Sequence, residues 1–222
     1  MPKAPRPASP GRRSAAEAIE TRQRILTAAR RLFAERGFDG VGLRDIAAAA
    51  GATHGLLRHH FGSKEAVWKG VVDAAEAEYR TALAPHAVIA PGEDVLEVAE
   101  RFLREFVAVA ARNPDLLRLL VHDGVVSSPR LDYALRYIGG AHRVLVPLIE
   151  ALHPHGLLLP FDSRSLFHFL LFATGVPFAL PALSDGVARV TPEAHAERLV
   201  RTLLGPRTSS ARASDVPKRR RR

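Results

Sequence analysis

Residues 44–65, RDIAAAAGATHGLLRHHFGSKE, carry two short helical apolar patterns separated by one glycine, and no other stretch limits the fold as tightly. Ile46, Ala47 and Ala50 fall on one helical face. Gly51 enters the left-handed region without steric cost, and Leu57 and Phe61 return the chain to a core. Thr53 stands where an N-cap belongs, so its hydroxyl can accept a backbone N–H from the turn that follows. The spacing predicts two helices crossing at a tight turn, followed directly by a further helix from Ser63. His54 and Arg58, four residues apart, share an outward face of the second helix. A helix-turn-helix with basic residues on its outward face points to double-stranded DNA as the first partner to consider.

The charge distribution supports that direction. Residues 22–64 carry eight Lys or Arg against three Asp or Glu, a net +5, whereas residues 65–205 carry 13 against 17, a net −4. Residues 206–222 add seven against one, a net +6, within an overall +9. A basic head on a mildly acidic body attracts a polyanion at one end and repels it at the other. The 222 residues are 47% hydrophobic and 25% charged, which excludes a fibrous or wholly disordered chain. The absence of cysteine excludes disulfides, thiolate metal sites and thiol redox sensing. The N-terminal MPKAPRPASPGRRS lacks the apolar core of a secretory signal, and no run of about 18 apolar residues occurs, so a soluble cytoplasmic protein with no membrane partner is expected.

Periodicity then divides the chain. Residues 1–13, rich in Pro, Arg, Ala and Ser, read as a disordered arm. Ser14 and Glu17 form a capping box opening a helix whose Ile25, Ala29, Leu32 and Phe33 share a face until Gly37. The second helix is expected over 44–50, the third over 54–60, and a fourth from Ser63 to about Leu83. The expected organisation is a three-helix DNA-binding head over 14–62, a helical body over 63–205 and a basic disordered tail over 206–222. Further helices are expected over 93–112, after Asn113 with Pro114 at the first helical position, over 129–152, from Ser163, and over 191–204. The helix after Ser163 is apolar almost all round, so it must be covered by its own body or by a second subunit, and Pro177 and Pro181 should kink or stop it. No strand alternation or repeat stands out, and the fold class is all-α.

The stretches TRQRILTAARRLFAERGF, RDIAAAAGAT and GLLRHHFGSKEAV, within residues 21–70, resemble the TetR family of bacterial transcriptional regulators. Beyond them the chain is similar in helical plan alone. The resemblance implies a two-fold homodimer with a helix-turn-helix head and a helical-bundle body that binds a small molecule and packs its last two helices on a partner. Carried over by position, His54, Gly55, Leu56 and Arg58 meet base edges, with Thr53 and His59 beside them; His60 and Lys64 meet phosphates, and Arg44 approaches the DNA from the preceding helix. An Arg can bind guanine O6 and N7 bidentately, and a Lys beside a helix N-terminus brings charge to a phosphodiester. Two positions depart from the family pattern. Gly42 stands where a hydroxyl residue commonly precedes the second helix, and Arg58 where Tyr is frequent, so base preference does not carry over.

The expected function is therefore ligand-responsive regulation, as a repressor released from a palindromic operator by an unidentified effector in the body. The alternative is a ligand-independent architectural DNA-binding protein that uses the motif and the basic tail. An enzyme is not expected, because there is no Gly-rich phosphate loop, no G-x-S-x-G elbow and no metal-ligand cluster. His122, His142, His153, His155 and His168 lack the spacing of a metal set, and no cofactor is expected. His168 interrupts the apolar helix, where a buried imidazole needs a hydrogen-bond partner. Phe102, Phe106, Tyr133, Tyr137, Phe167 and Phe172 read as core that can also line a cavity; no residue is assigned to the effector.

Overall fold

The computed structural model describes residues 10–157, 162–185 and 190–205; for residues 10–14, 137–141, 144 and 185 it describes backbone alone. Among them ten α-helices follow one another without a strand: α1 (Pro10–Arg36), α2 (Leu43–Ala49), α3 (His54–Phe61), α4 (Lys64–Leu83), α5 (Val95–Arg112), α6 (Asp115–Asp123), α7 (Pro129–Leu152), α8 (Ser163–Ala179), α9 (Pro181–Asp185) and α10 (Pro192–Leu204). The all-α reading holds, with α1–α3 as the head. The expected arm at 1–9, the 206–222 tail and the loop at 158–161 lie outside the described residues.

Several starts differ from the sequence reading: α2 begins at Leu43 and α5 at Val95, against 44 and 93. α1 begins at Pro10, so Ser14 lies inside the helix rather than at its start; proline's fixed φ suits a first helical turn. Pro114 takes the N-cap of α6 rather than its first helical position.

The head closes because each of its helices turns apolar residues inward. Ile25, Ala29 and Phe33 of α1 meet Val41, Ile46 of α2 and Leu57 of α3, all fully buried or nearly so. Gly51 adopts φ 61°, and Ala52 N–H returns to the Ala47 carbonyl, which makes the sharp turn between α2 and α3. Thr53 Oγ1 accepts the Leu56 N–H at 3.1 Å and Ser63 Oγ the Ala66 N–H at 3.1 Å, so both caps form as expected.

α4 belongs to both parts. It packs on α1 in the head and on α5 and α7 in the body through Val67, Trp68, Val71, Val72 and Ala75. Arg30 of α1 ties the same junction, donating to Glu78 of α4 at 2.7 Å and to Asn113, just before α6, at 3.2 Å. In the body α10 lies along α5, and α8 crosses α5, α6 and α7. α8 buries Leu166, Phe167, Leu170, Leu171 and Thr174, yet leaves Phe169 and Phe172 40% and 46% exposed. One side of this apolar helix therefore stays partly exposed among the described residues. It runs through Pro177 and stops at Ala179, and Pro181 starts α9.

Candidate nucleic-acid interface

α3 has eight residues and only Leu57 is buried, since one face must seal the head core. His54, Gly55, Leu56, Arg58 and His59 are exposed, with Thr53 at the cap also exposed. Arg44 is exposed on α2. Seven of the nine expected residues therefore stand on the open surface of the helix-turn-helix. Leu56, 38% exposed, is an apolar side chain facing outward beside Arg58, a pairing that suits a groove presenting both acceptors and thymine methyls. At Gly55 an added Cβ would meet nothing within 4 Å, so the chain's own packing does not require glycine there.

The other two sit differently. His60 is half-buried, its ring 5.7 Å from His59 and 6.4 Å from Phe61. Lys64 is half-buried too: Nζ donates to the Phe38 carbonyl at 3.0 Å and lies 4.2 Å from the centroid of the Phe38 ring. An ammonium has three donors and this bond uses one, so a phosphate contact has to coexist with an internal role. Gly42 caps α2 without a side chain, and Asp45 compensates by accepting the Gly42 N–H at 2.8 Å. A Cβ at Gly42 would stand 3.0 Å from the same carboxylate oxygen, so the missing hydroxyl is replaced by a different local arrangement.

In the body, two small cavities of about 30 and 20 Å³ adjoin at Phe102 and Leu145. The first is walled by aliphatic side chains of α5, α7, α8 and α10; the second adds Phe106, Phe167, Tyr79 and Arg80. Burial pushes the Tyr79 hydroxyl up to about 12, and its bond to the Asn113 carbonyl is long at 3.5 Å. Phe102, Phe106 and Phe167 therefore combine core and cavity wall. Tyr133 packs against the core at its edge without lining either cavity: its hydroxyl donates to Asp73 at 2.8 Å and its ring meets Trp68 edge-on. Phe172 is exposed, and the Tyr137 side chain lies outside the described residues.

Two of the histidines that the sequence singles out hold separate polar contacts. His168 is half-exposed rather than core, with Nδ1 2.9 Å from the Arg164 carbonyl. His142 Nε2 lies 2.8 Å from Ser163 Oγ, and burial first, then Arg164, holds its pKa below the usual imidazole value. The Arg164 and Ser165 N–H groups that follow Ser163 both donate to Asp162 at 2.9 Å. Sequence reading missed the cluster of Phe38, Asp123 and Arg130 between head and body. Asp123 and Arg130 are separated by a turn, and no periodic pattern relates them to Phe38.

A profile of bacterial regulatory proteins of the tetR family matches residues 25–70. The HTH-type transcriptional repressor NicS of Pseudomonas putida is 30% identical over 149 residues, which cover 64% of this chain and 68% of NicS. The HTH-type transcriptional repressor AcnR of Corynebacterium efficiens is 32% identical over 84 residues, 38% of this chain; the match spans less than half of AcnR, 45%. Among solved structures, AibR in complex with isovaleryl coenzyme A and operator DNA superposes with a TM-score of 0.68 at 20% identity, covering 84% of this chain and 99% of that one. HlyIIR, a hemolysin II transcriptional regulator, gives 0.57 at 21%, covering 84% and 98%. At that identity the structural likenesses carry the fold alone.

Proposed function

Because this chain belongs to the tetR family of bacterial regulatory proteins, we propose that it is a transcriptional repressor that binds a palindromic operator as a homodimer and is released by a small molecule held in the body. The observation that carries the reading is the exposed row on α3. A capped helix presents His54, Gly55, Leu56, Arg58 and His59 outward from a basic head while Leu57 and Phe61 hold it to the core. Arg58 reads a base, His60 and Lys64 approach phosphates, and Arg44 supports the contact from α2.

The dimer reading is supported by α8. Phe172, Ala173, Val176 and Pro177 line an open groove along α8, and a second copy presenting the same helix is self-complementary to it. Two heads on a two-fold axis then meet half-sites about one helical turn, roughly 34 Å, apart or a multiple of it.

The effector reading is supported by the paired apolar cavities, and by the fact that AibR, which shares the fold, has been solved with both isovaleryl coenzyme A and operator DNA. A volume of about 30 Å³ leaves no room for more than a water-sized group. An effector therefore binds by parting α5 from α7 and α8, and its influence equals its differential affinity for the parted and closed states. By linkage, an effector that weakens operator binding binds the DNA-bound dimer less well by the same factor. Footprinting of the full chain on genomic fragments tests the function: discrete protected palindromes are expected, whereas uniform coverage supports the architectural alternative.

A further inference from the structure

Phe38 lies just beyond α1, and residues 39–42 alone separate it from α2. Its ring stacks on Phe33 of the head core with centroids 5.7 Å apart. Two cations approach this ring. Lys64, the first residue of α4, lies 4.2 Å from the centroid and also bonds the Phe38 carbonyl. The guanidinium of Arg130, the second residue of α7, lies 4.0 Å from it. Phe38 thus carries two cation–ring contacts, one from the head–body helix and one from the body.

Arg130 is itself fixed. Its Nε donates to Asp123 at 3.1 Å, and the side chain of Asp123, at the end of α6, is only 6% exposed. A carboxylate that deeply placed is bound to its counter-ion, because separation leaves an uncompensated charge. The end of α6 touches the head directly as well: His122 Nδ1 lies 3.4 Å from where a Cβ on Gly37 would stand. One turn further along α7, Tyr133 bonds Asp73 of α4. The ends of α6 and α7 thus converge on the turn that leads into the helix-turn-helix.

We propose that Arg130 is a positioning residue: by clasping Phe38 while bound to Asp123, it sets the orientation of the α2–α3 pair relative to the body. A displacement of α6 against α7 draws Arg130 off the ring and frees the turn before α2, which is the movement that an effector in the body has to produce at the head. The consequence for DNA rests on the head carrying the operator contacts. The orientation itself is measured without DNA, so a failure here and a failure of that reading are separable.

The chain has no cysteine, so Ala49→Cys on α2 and Glu150→Cys on α7, both exposed, accept spin labels without background. Double electron–electron resonance on full-length chains diluted with unlabelled protein then reads the distance from head to body within one chain. A single narrow distribution is expected for the parent. Arg130→Gln should at least double its width while far-UV circular dichroism stays unchanged, and Arg130→Lys, which keeps a cation over the ring, should stay close to the parent. Phe38→Leu retains apolar packing on Phe33 but has no ring face for a cation, and should broaden the distribution as Arg130→Gln does. Parent-like distributions in both Arg130→Gln and Phe38→Leu overturn the proposal. So does Arg130→Lys broadening as much as Arg130→Gln, since the cation is then not what holds the head.

Discussion

Gly55 is a residue that the chain's own packing does not explain: it sits in the first turn of α3 with open space where a side chain would be. Glycine costs a helix up to about 1 kcal/mol relative to alanine. Gly55→Ala should therefore raise the unfolding free energy by about 0.5–1 kcal/mol and yet weaken operator binding, because the added methyl stands where the backbone approaches DNA. Denaturant titration paired with gel-shift titration checks both halves, and a variant that binds DNA as well as its parent removes Gly55 from the contact. Arg58→Ala should weaken operator binding by roughly 1–3 kcal/mol and relax discrimination at one base position. Lys64→Ala should lower the slope of log affinity against log salt by about one, uniformly across sequences. An unchanged slope shows that its ammonium serves Phe38 alone. The exposed residues of α3 were legible because a cap and one inward leucine fix a short helix's rotation. The internal bonds of Lys64 were not, because Phe38 lies 26 residues away in the chain.

At the scale of elements, periodicity and caps located the helices closely. Ser128 and Thr191 cap α7 and α10 and accept N–H groups three residues on, at 3.1 and 3.2 Å, each followed by proline at the first helical position. Proline within a helix was harder to read, because the outcome depends on a partner from elsewhere. Pro177 has no N–H, which leaves the Ala173 carbonyl of α8 without its helical donor. His195 of α10 supplies one, with Nε2 2.7 Å from that oxygen, so this nitrogen carries the hydrogen. The helix continues past the proline because its neighbour completes the ladder. His195→Ala should cost about 1–3 kcal/mol of stability in the native chain. In a Pro177→Ala background, where residue 177 again donates to Ala173, the cost should shrink to the loss of ring contact with Phe178. Urea unfolding of the four chains of this double-mutant cycle checks it; equal costs in both backgrounds contradict the repair.

At the scale of the whole molecule, a basic head and an acidic body were visible as charge counts, and the α2–turn–α3 motif as spacing. Their relative placement was not, because it depends on contacts between residues far apart in sequence: Arg30 with Glu78 and Asn113, Tyr133 with Asp73, and Arg130 with Phe38. The partly exposed face of α8 and the small apolar cavities likewise emerged from packing, since the sequence showed only an apolar helix and scattered aromatics. Together these features describe a molecule whose helix-turn-helix head is joined to an apolar-cored helical body through α4, α6 and α7. The central claim is that this surface recognises one DNA sequence. Selection of bound duplexes from a random library, with the parent and with Arg58→Ala, tests it most directly. The account predicts a palindrome with half-sites spaced by a whole number of helical turns, and loss of preference at one position per half-site in the variant. Recovery of duplexes with no common sequence would contradict it.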